Sequence, residues 1–305
     1  MLDLGIGGLQ IPGMASPAEA VVVERHGADA VSGCCVFEGI PLFFHAVASS
    51  GTCRLWQDET IVDGDRLAQT VRDPDAAPNI GVVWQDIGEE VAWTIAISRA
   101  NEAAAQVLAT VAQRRGFDSV RLEARRQWQS TLDGLRVAGG RETDRRILAS
   151  AWYHSCLKPV RTEAGADGDL FVDCATLWDQ YKTQLPLIFA TQPQQGAAIV
   201  ASLMDSAERR GGLPNALLLA QSEQTFANQA ACLFHMVCYS AWCHRLPGLD
   251  TERALRLMLA DFRRGPGRFI EQPDRFPSPT HVLDCSQAAW CIARLAAGLG
   301  PPATA

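Results

Sequence analysis

The spacing of apolar residues changes once along the chain, near Asn101, and this change limits the possible folds more than any other feature. Before it, from Ala20 to Ser98, short runs of β-branched and aromatic residues are separated by glycines, which is typical of strands and turns. After it, apolar residues recur every three or four positions, which is typical of helices. The sequence therefore predicts an α+β chain in which a β-sandwich-like portion precedes a helical portion.

The same patterns divide the chain into three predicted segments. Residues 1–113 are predicted as an incomplete β-sandwich-like domain, residues 114–140 as a linker helix and connector, and residues 141–305 as a helical α/α barrel portion. The predicted helices are Glu102–Arg115, a helix that starts at Asp118, Arg145–Lys158, Ala197–Arg210, Phe226–Cys243, Asp250–Arg264 and Val282–Ala297. The helix from Asp118 carries an apolar stripe of Val120, Ala124, Trp128 and Leu132. Helices joined by short Gly/Pro loops, with one member apolar on nearly all sides, favour an α/α toroid.

Charge and cysteine content argue against several classes of function. The net charge is −7, whereas nucleic-acid binding depends on Lys and Arg that neutralise phosphates. The apolar stretch Phe226–Cys243 contains polar residues and is slightly short for a membrane span, so we expect a buried helix. The ten cysteines lie largely in apolar runs, as free thiols do, and no signal peptide is evident at the N-terminus. We therefore expect a cytoplasmic protein that binds neither nucleic acid nor membranes.

The stretch with the clearest chemical character is Phe171–Pro186, which reads FVDCATLWDQYKTQLP. Thr176 followed by Asp179 resembles a helix-capping box, and Leu177, Trp178, Tyr181 and Leu185 share one helical face. A tryptophan beside a carboxylate also suits sugar binding, because the ring stacks on C–H faces and the carboxylate accepts from paired hydroxyls. Taken alone, the pattern is also compatible with a first-turn acidic residue next to a core tryptophan.

Several motifs, which occur along this chain in the same order as in the family, resemble those of glycoside hydrolase family 92, the calcium-dependent, inverting exo-α-mannosidases. The run TLWDQYKTQLPL is similar to the family signature SLWDTFRA..PL. Further similar segments are Val31–Phe44, Ile95–Leu108, Phe117–Gly140, Ala151–Pro159 and Trp290–Gly300. The resemblance implies an N-terminal supersandwich followed by part of an (α/α)6 toroid, and an ancestry among enzymes that act on terminal α-linked mannose.

The resemblance also implies which residues contact the sugar. Trp178 and Asp179 would hold the terminal mannose, Lys182 stands where the family has an arginine, and Asp173 is a further substrate-binding candidate. Lysine keeps the charge of arginine but loses its bidentate fork. Glu223 is a weak candidate for the catalytic acid. The family's acid, base and calcium ligands lie mostly beyond the segments matched here, and Gln287-Ala288-Ala289 stands in place of a family Tyr-Asp-Asp.

Two metal interpretations remain open at this point. Asp167, Asp169 and Asp173 could bind calcium through a loop of oxygens, although their spacing is not that of an EF-hand and a solvated turn explains it equally well. The residues Cys232, His235, Cys238, Cys243 and His244 invite a zinc interpretation, but they lack the Cys-x-x-Cys spacing and suit a packed core.

Two functions follow as alternatives. The first is a family 92-like α-mannosidase that hydrolyses or binds terminal α-linked mannose of glycans, with calcium implied by the family. The second is an inactive sugar-binding or scaffold fragment, or one half of a split enzyme. A partial toroid leaves apolar flanks without cover, so we also expect a homo-oligomer or a complementing chain.

Overall fold

The computed structural model describes residues 2–4, 18–37, 39–71, 77–161, 171–172, 177–213, 231–264 and 279–300. By internal contacts the described residues form two compact units, one up to Gln129 and the other from Ser130 onward. This division falls within a helix, Phe117–Leu132, that the sequence analysis assigned to a linker.

The first unit contains two antiparallel sheets. Its strands are β1 (Leu2–Asp3), β2 (Ala20–His26), β3 (Ala30–Phe37), β4 (Ile40–Ala48), β5 (Thr52–Gln57), β6 (Thr60–Val62), β7 (Arg66–Thr70), β8 (Ile80–Gln85) and β9 (Trp93–Ser98). The five-stranded sheet has the order β7-β2-β3-β4-β9, and the four-stranded sheet has the order β1-β8-β5-β6. The predicted run Val36–Val47 is divided between β3 and β4, with Gly39 at the turn in the left-handed region at φ +73°.

Alternating side chains from both sheets form one core, as a sandwich requires. In β2, Val21 and Val23 are fully buried while Glu24 is exposed, and Leu55 and Val82 face them from the other sheet. Gly33 is needed in β3 because a Cβ atom there would come within 2.7 Å of the Phe44 ring. The strand pattern of the sequence therefore predicted the sandwich correctly.

Helix α1 (Glu102–Arg115) covers part of the five-stranded sheet. It has the predicted bounds: the Asn101 side chain accepts from the Ala104 N–H at 2.8 Å, and Gly116 closes the helix at φ +74°. Its buried residues are Ala105 and Ala109, whose small side chains let the helix approach β9 and β4 closely. Helix α2 (Phe117–Leu132) follows directly and contains no fully buried residue: in its predicted apolar stripe, Val120 and Ala124 are exposed, while Trp128 and Leu132 are half-buried.

The second unit is helical. Its elements are α3 (Glu142–Ser155), β10 (Val160–Arg161), β11 (Phe171–Val172), α4 (Leu177–Asp179), a π-helical turn (Gln180–Gln184), α5 (Leu185–Thr191), α6 (Pro193–Arg210), α7 (Leu233–Cys243), α8 (Thr251–Arg264) and α9 (Pro279–Leu299). The core of this unit is drawn from α4 to α9. Helix α7 is buried on nearly every side, as its composition predicted, and no helix in the described residues is long and apolar enough to span a membrane.

The C-terminal ends of α6, α7 and α8 are as predicted. Other predicted bounds were wrong: α3 was predicted as Arg145–Lys158 and α9 as Val282–Ala297, and α6 begins four residues before the predicted Ala197, since Pro193 is tolerated in the first turn of a helix. Helix α7 begins at Leu233, after Cys232 in the left-handed region, and not at Phe226.

Ile199, Leu203 and Ala207 are buried on α6, which ends at Gly211 with φ +74°. Asp250 caps α8, since its Oδ1 accepts from the Arg253 N–H at 2.8 Å. These caps fix where the helices of the second unit begin and end.

Candidate functional site

The candidate sugar-binding residues lie at the start of a helical segment that begins at Leu177. Leu177 is fully buried and anchors the segment in the core. Trp178 is half-buried and packs against the core, Asp179 is exposed, and Gln180 is buried again at 1% exposure. Among the described residues, the carboxylate of Asp179 makes no capping hydrogen bond to a helix N–H group. The segment therefore carries a partly exposed indole ring and an exposed carboxylate at successive positions.

A π-helical turn follows Asp179, and Pro186 gives the physical reason for it. Pro186 has no N–H and its ring would clash with the carbonyl four residues earlier in an α-helix. The backbone widens instead, and the Leu185 N–H donates to the Gln180 carbonyl, five residues back. Such widened turns occur often at functional sites because they re-aim the side chains around them. The turn was not predicted from the sequence, although Pro186 was the available signal.

Lys182 lies on this turn, and its ammonium group contacts an aromatic ring. Its Nζ atom lies 5.3 Å from the centre of the Tyr181 ring, within the range of a cation–π contact. Tyr181 is itself packed against the core. The ammonium group is thereby held close to the surface of the turn, where it remains exposed.

Gln184 connects the turn to the end of α3, and sequence reasoning missed it. Its Nε2 atom donates to the carbonyl oxygens of Ser155, at 2.7 Å, and Lys158, at 2.6 Å. One amide group thus satisfies two carbonyls at the end of α3, where helix carbonyls lack intrahelical partners. Gln184 is a positioning residue that fixes the turn carrying Asp179.

Several predicted site residues lie outside the described residues. These are Asp173 and Glu223, together with Asp167, Asp169 and the predicted cap Thr176. Trp178, Asp179 and Lys182 are therefore the predicted substrate-binding residues that the structure places, and they lie within one helical turn.

The zinc candidates lie at the start of α7, on it and at its end. Cys232, His235 and Cys238 are buried in the core. Burial raises the pKa of the Cys238 thiol and lowers the pKa of His235, whose Nε2 lies 3.1 Å from the Met258 carbonyl oxygen. Cys243 is exposed, and His244 Nδ1 lies 2.8 Å from the Ser240 carbonyl oxygen. Across the part of the chain that the structure describes, no three His, Cys, Asp or Glu side chains are placed to hold a metal ion. No group of three carboxylates among these described residues is placed for calcium either.

Comparison with known proteins decides the family. The model of the glycosyl hydrolase family 92 catalytic domain matches residues 102–305, which is more than half of the chain and includes the Trp178–Asp179 site. The chain belongs to glycoside hydrolase family 92. No curated protein sequence gives a significant match.

Solved structures of family 92 enzymes share the fold of this family 92 chain. The α-mannosidase BT3965 from Bacteroides thetaiotaomicron superposes with a TM-score of 0.75 at 17% identity, over 93% of this chain and 42% of that one. The inverting mannosidase BT2199 from the same organism gives a TM-score of 0.73 at 17% identity, over 93% and 43%. BT3965 has also been solved in complex with mannoimidazole, with a TM-score of 0.75. The chain thus spans less than half the length of these relatives, and the predicted β-sandwich-plus-toroid fold class is confirmed.

Proposed function

We propose that this family 92 chain is of the α-mannosidase type and binds the terminal α-linked mannose of glycans through Trp178 and Asp179. The observation that carries the proposal is the state of Asp179: an exposed carboxylate with no capping role, beside a half-buried tryptophan, within the segment matched by the family model. A merely structural first-turn aspartate would be expected to bond the N–H groups of its own helix.

The proposed contacts follow from the chemistry of a pyranose. The Asp179 carboxylate has two oxygens and accepts hydrogen bonds from two neighbouring hydroxyls. The exposed part of the Trp178 ring stacks on a C–H face of the sugar. Lys182 donates as a point charge near the turn, with less directional grip than an arginine in that place. Together these residues bind and orient one sugar ring.

Hydrolysis with inversion requires an acid and a base whose carboxyl groups lie about 6.5–9.5 Å apart, on opposite sides of the scissile bond. Glu223 stays a weak candidate for the acid and lies outside the described residues. We assign no acid–base pair to the described carboxylates. We propose that further family 92 polypeptide supplies the missing groups; this chain covers 42% and 43% of the two solved relatives. Calcium, implied by the family, would be bound there as well.

Apolar surface in the first unit supports the same complementing polypeptide. On β9, an edge strand of its sheet, Ile95 and Ile97 are 50% and 60% exposed. Ile95 also lines a cavity of about 410 Å³, together with residues that include Trp93, Phe117 and Val120. Exposed edge strands pair readily with another chain, and contiguous apolar patches usually mark contact sites. We assign this surface to polypeptide from the family's remaining length, and a second copy of this chain is the rival occupant.

The test of function is hydrolysis of an aryl α-mannoside, with and without calcium. Turnover that is lost in Asp179→Asn and retained in Asp144→Asn, an exposed aspartate on α3, would support the enzyme. Binding of mannose without turnover would support the alternative, an inactive sugar-binding fragment or half of a split enzyme. Neither turnover nor binding, in a folded chain, would refute sugar binding by Trp178 and Asp179.

A cytoplasmic location belongs to the same proposal. The nine described cysteines are free thiols, most of them buried, as expected for a chain kept in a reducing compartment. Cell fractionation with a tagged chain tests this, and recovery from the extracellular or periplasmic fraction would contradict it.

A further inference from the structure

Two buried cysteines of the helical unit lie side by side. Cys232 lies at the start of α7, and Cys285 lies in α9, 53 positions later in the sequence. Their Sγ atoms are 3.9 Å apart, and the Cys232 thiol donates to the sulfur of Cys285. The two side chains are only 4% and 1% exposed, and with Ala288 they form a small core cluster of their own.

The backbone around this pair is held by independent contacts. The Ala231 N–H donates to Oδ2 of Asp284 at 3.0 Å, which attaches the residue before Cys232 to the residue before Cys285. Cys232 itself adopts the left-handed region at φ +59°, and its carbonyl accepts from the His235 N–H at 3.1 Å. The packing of α7 on α9, together with the Ala231–Asp284 hydrogen bond, therefore brings the two sulfur atoms together.

We propose that Cys232 and Cys285 form a reversible disulfide, a modification site that ties the start of α7 to α9 when the chain meets a small-molecule disulfide such as oxidised glutathione. The two S–H bonds break and one S–S bond forms between the Sγ atoms. Two electrons pass to the glutathione disulfide, whose S–S bond breaks, and two protons convert its halves to two glutathione thiols. The sulfur atoms must approach from 3.9 Å to about 2.05 Å.

The two thiols have different parts in this exchange. Burial raises the pKa of both, which keeps the folded pair protonated and slow to react. The hydrogen bond donated by Cys232 opposes that effect at Cys285 and raises the pKa of Cys232 further. One thiol attacks glutathione disulfide and releases the first glutathione, and the other thiol then displaces the second glutathione from the mixed disulfide. The exchange takes place when the pair is reached during folding or local opening.

A second pair of cysteines on the same helices supplies a matched control. Cys238 lies on α7 and Cys291 on α9, and both are buried. Burial raises the pKa of Cys291 to about 11 and that of Cys238 further. No sulfur–sulfur hydrogen bond joins these two described side chains, in contrast to Cys232 and Cys285. They share burial and helices with the proposed pair but not its contact.

The experiment folds the full chain in glutathione buffers from fully reduced to fully oxidised, traps free thiols by alkylation, and maps disulfides by peptide mass spectrometry. The wild-type chain is expected to yield one Cys232–Cys285 cross-link that dithiothreitol removes. Oxidation is expected to raise the melting temperature by roughly 5–10 °C, because the link closes a long loop. The Cys238→Ala/Cys291→Ala variant should behave like wild type, and the Cys232→Ala/Cys285→Ala variant should show neither the cross-link nor the shift.

Two results would overturn the proposal. One is full alkylation of Cys232 and Cys285 after folding in the most oxidising buffer. Both thiols are accessible to glutathione disulfide before the chain folds, so their burial would not explain that result. The other is a dominant cross-link between different cysteines. The single variant Cys232→Ala isolates the mixed disulfide: a glutathione adduct at Cys285 is expected, because no second thiol displaces it, and its absence under the same conditions would contradict the proposed exchange.

Discussion

Gln184 shows how one side chain can determine the position of a candidate site that it does not itself form. Its amide satisfies two carbonyl oxygens at the end of α3, at 2.7 and 2.6 Å, while its backbone belongs to the π-helical turn after Asp179. A donor that makes two hydrogen bonds in a partly buried place is costly to remove, because both bonds are lost together.

We predict that Gln184→Leu lowers the free energy of unfolding by about 1–3 kcal/mol. Gln192→Leu is the matched control, since the Gln192 amide contacts only the weaker acceptor Cys156 Sγ, at 3.5 Å, and should cost less. Urea unfolding followed by circular dichroism measures both. Equal losses in the two variants would show that Gln184 has no special anchoring role.

The buried His235 makes the stability of the fold depend on pH, with stability lost as the pH falls. Burial lowers its pKa below 6.5, although Asp261 at 3.9 Å opposes the shift. Above pH 6.5 both folded and unfolded states are neutral at this residue and stability is at its full value. As the pH falls below 6.5, the unfolded chain binds a proton that the folded chain refuses, so stability is lost until the folded pKa is reached.

We predict a loss of up to about 1.4 kcal/mol from this residue at pH 5.5, relative to pH 7.5. Chemical denaturation at the two pH values should show a smaller difference in His235→Gln than in the wild type. A pH difference of the same size in that variant would contradict the assignment.

At the scale of elements, α8 is positioned by its cap and by Arg253. The Asp250 carboxylate accepts from the Arg253 N–H, while the Arg253 guanidinium donates to Asp205 and Glu208 on α6. In these ion pairs the Arg253 side chain is 21% exposed and the two carboxylate side chains are about half exposed. Separately from them, the cap satisfies an N–H group that has no intrahelical partner.

We predict that Asp250→Ala lowers stability by about 1 kcal/mol and that Asp250→Asn, which keeps the accepting oxygen, lowers it much less. Denaturant midpoints of the two variants give the comparison. A loss as large in the asparagine variant would assign the effect to charge instead of to the cap.

Elements with local signals were predictable from the sequence, and contacts between distant residues were not. Asn101 and Gly116 gave the bounds of α1 because capping depends on adjacent residues. Periodicity placed Trp178 and Asp179 on a helix but could not distinguish a π-helical turn from an α-helical one, since both bury a similar face. The stripe of α2 shows a further limit: periodicity tells which residues share a face and not what covers it.

At the scale of the molecule, the exposed apolar surface on β9 is the proposed contact site for further family 92 polypeptide. The solved relatives are more than twice as long as the region they share with it. We predict that co-expression with a family 92 polypeptide comprising that remaining length gives a one-to-one complex. The double variant Ile95→Lys/Ile97→Lys should weaken the complex, because it places charges on the β9 edge.

Light scattering of the co-purified sample measures this stoichiometry. The exposed positions of Ile95 and Ile97 mean that the variant should fold, and its melting temperature provides the control. A homodimer of this chain that excludes the second polypeptide would contradict the assignment of the surface.

The most direct test of the sugar site is calorimetric titration of the folded chain with mannoimidazole, alone and with the complementing polypeptide. If Trp178 and Asp179 hold the sugar, Asp179→Asn should weaken binding at least tenfold, which corresponds to about 1.4 kcal/mol, while Asp144→Asn binds as the wild type does. Equal affinity in Asp179→Asn and the wild type would contradict the proposed site.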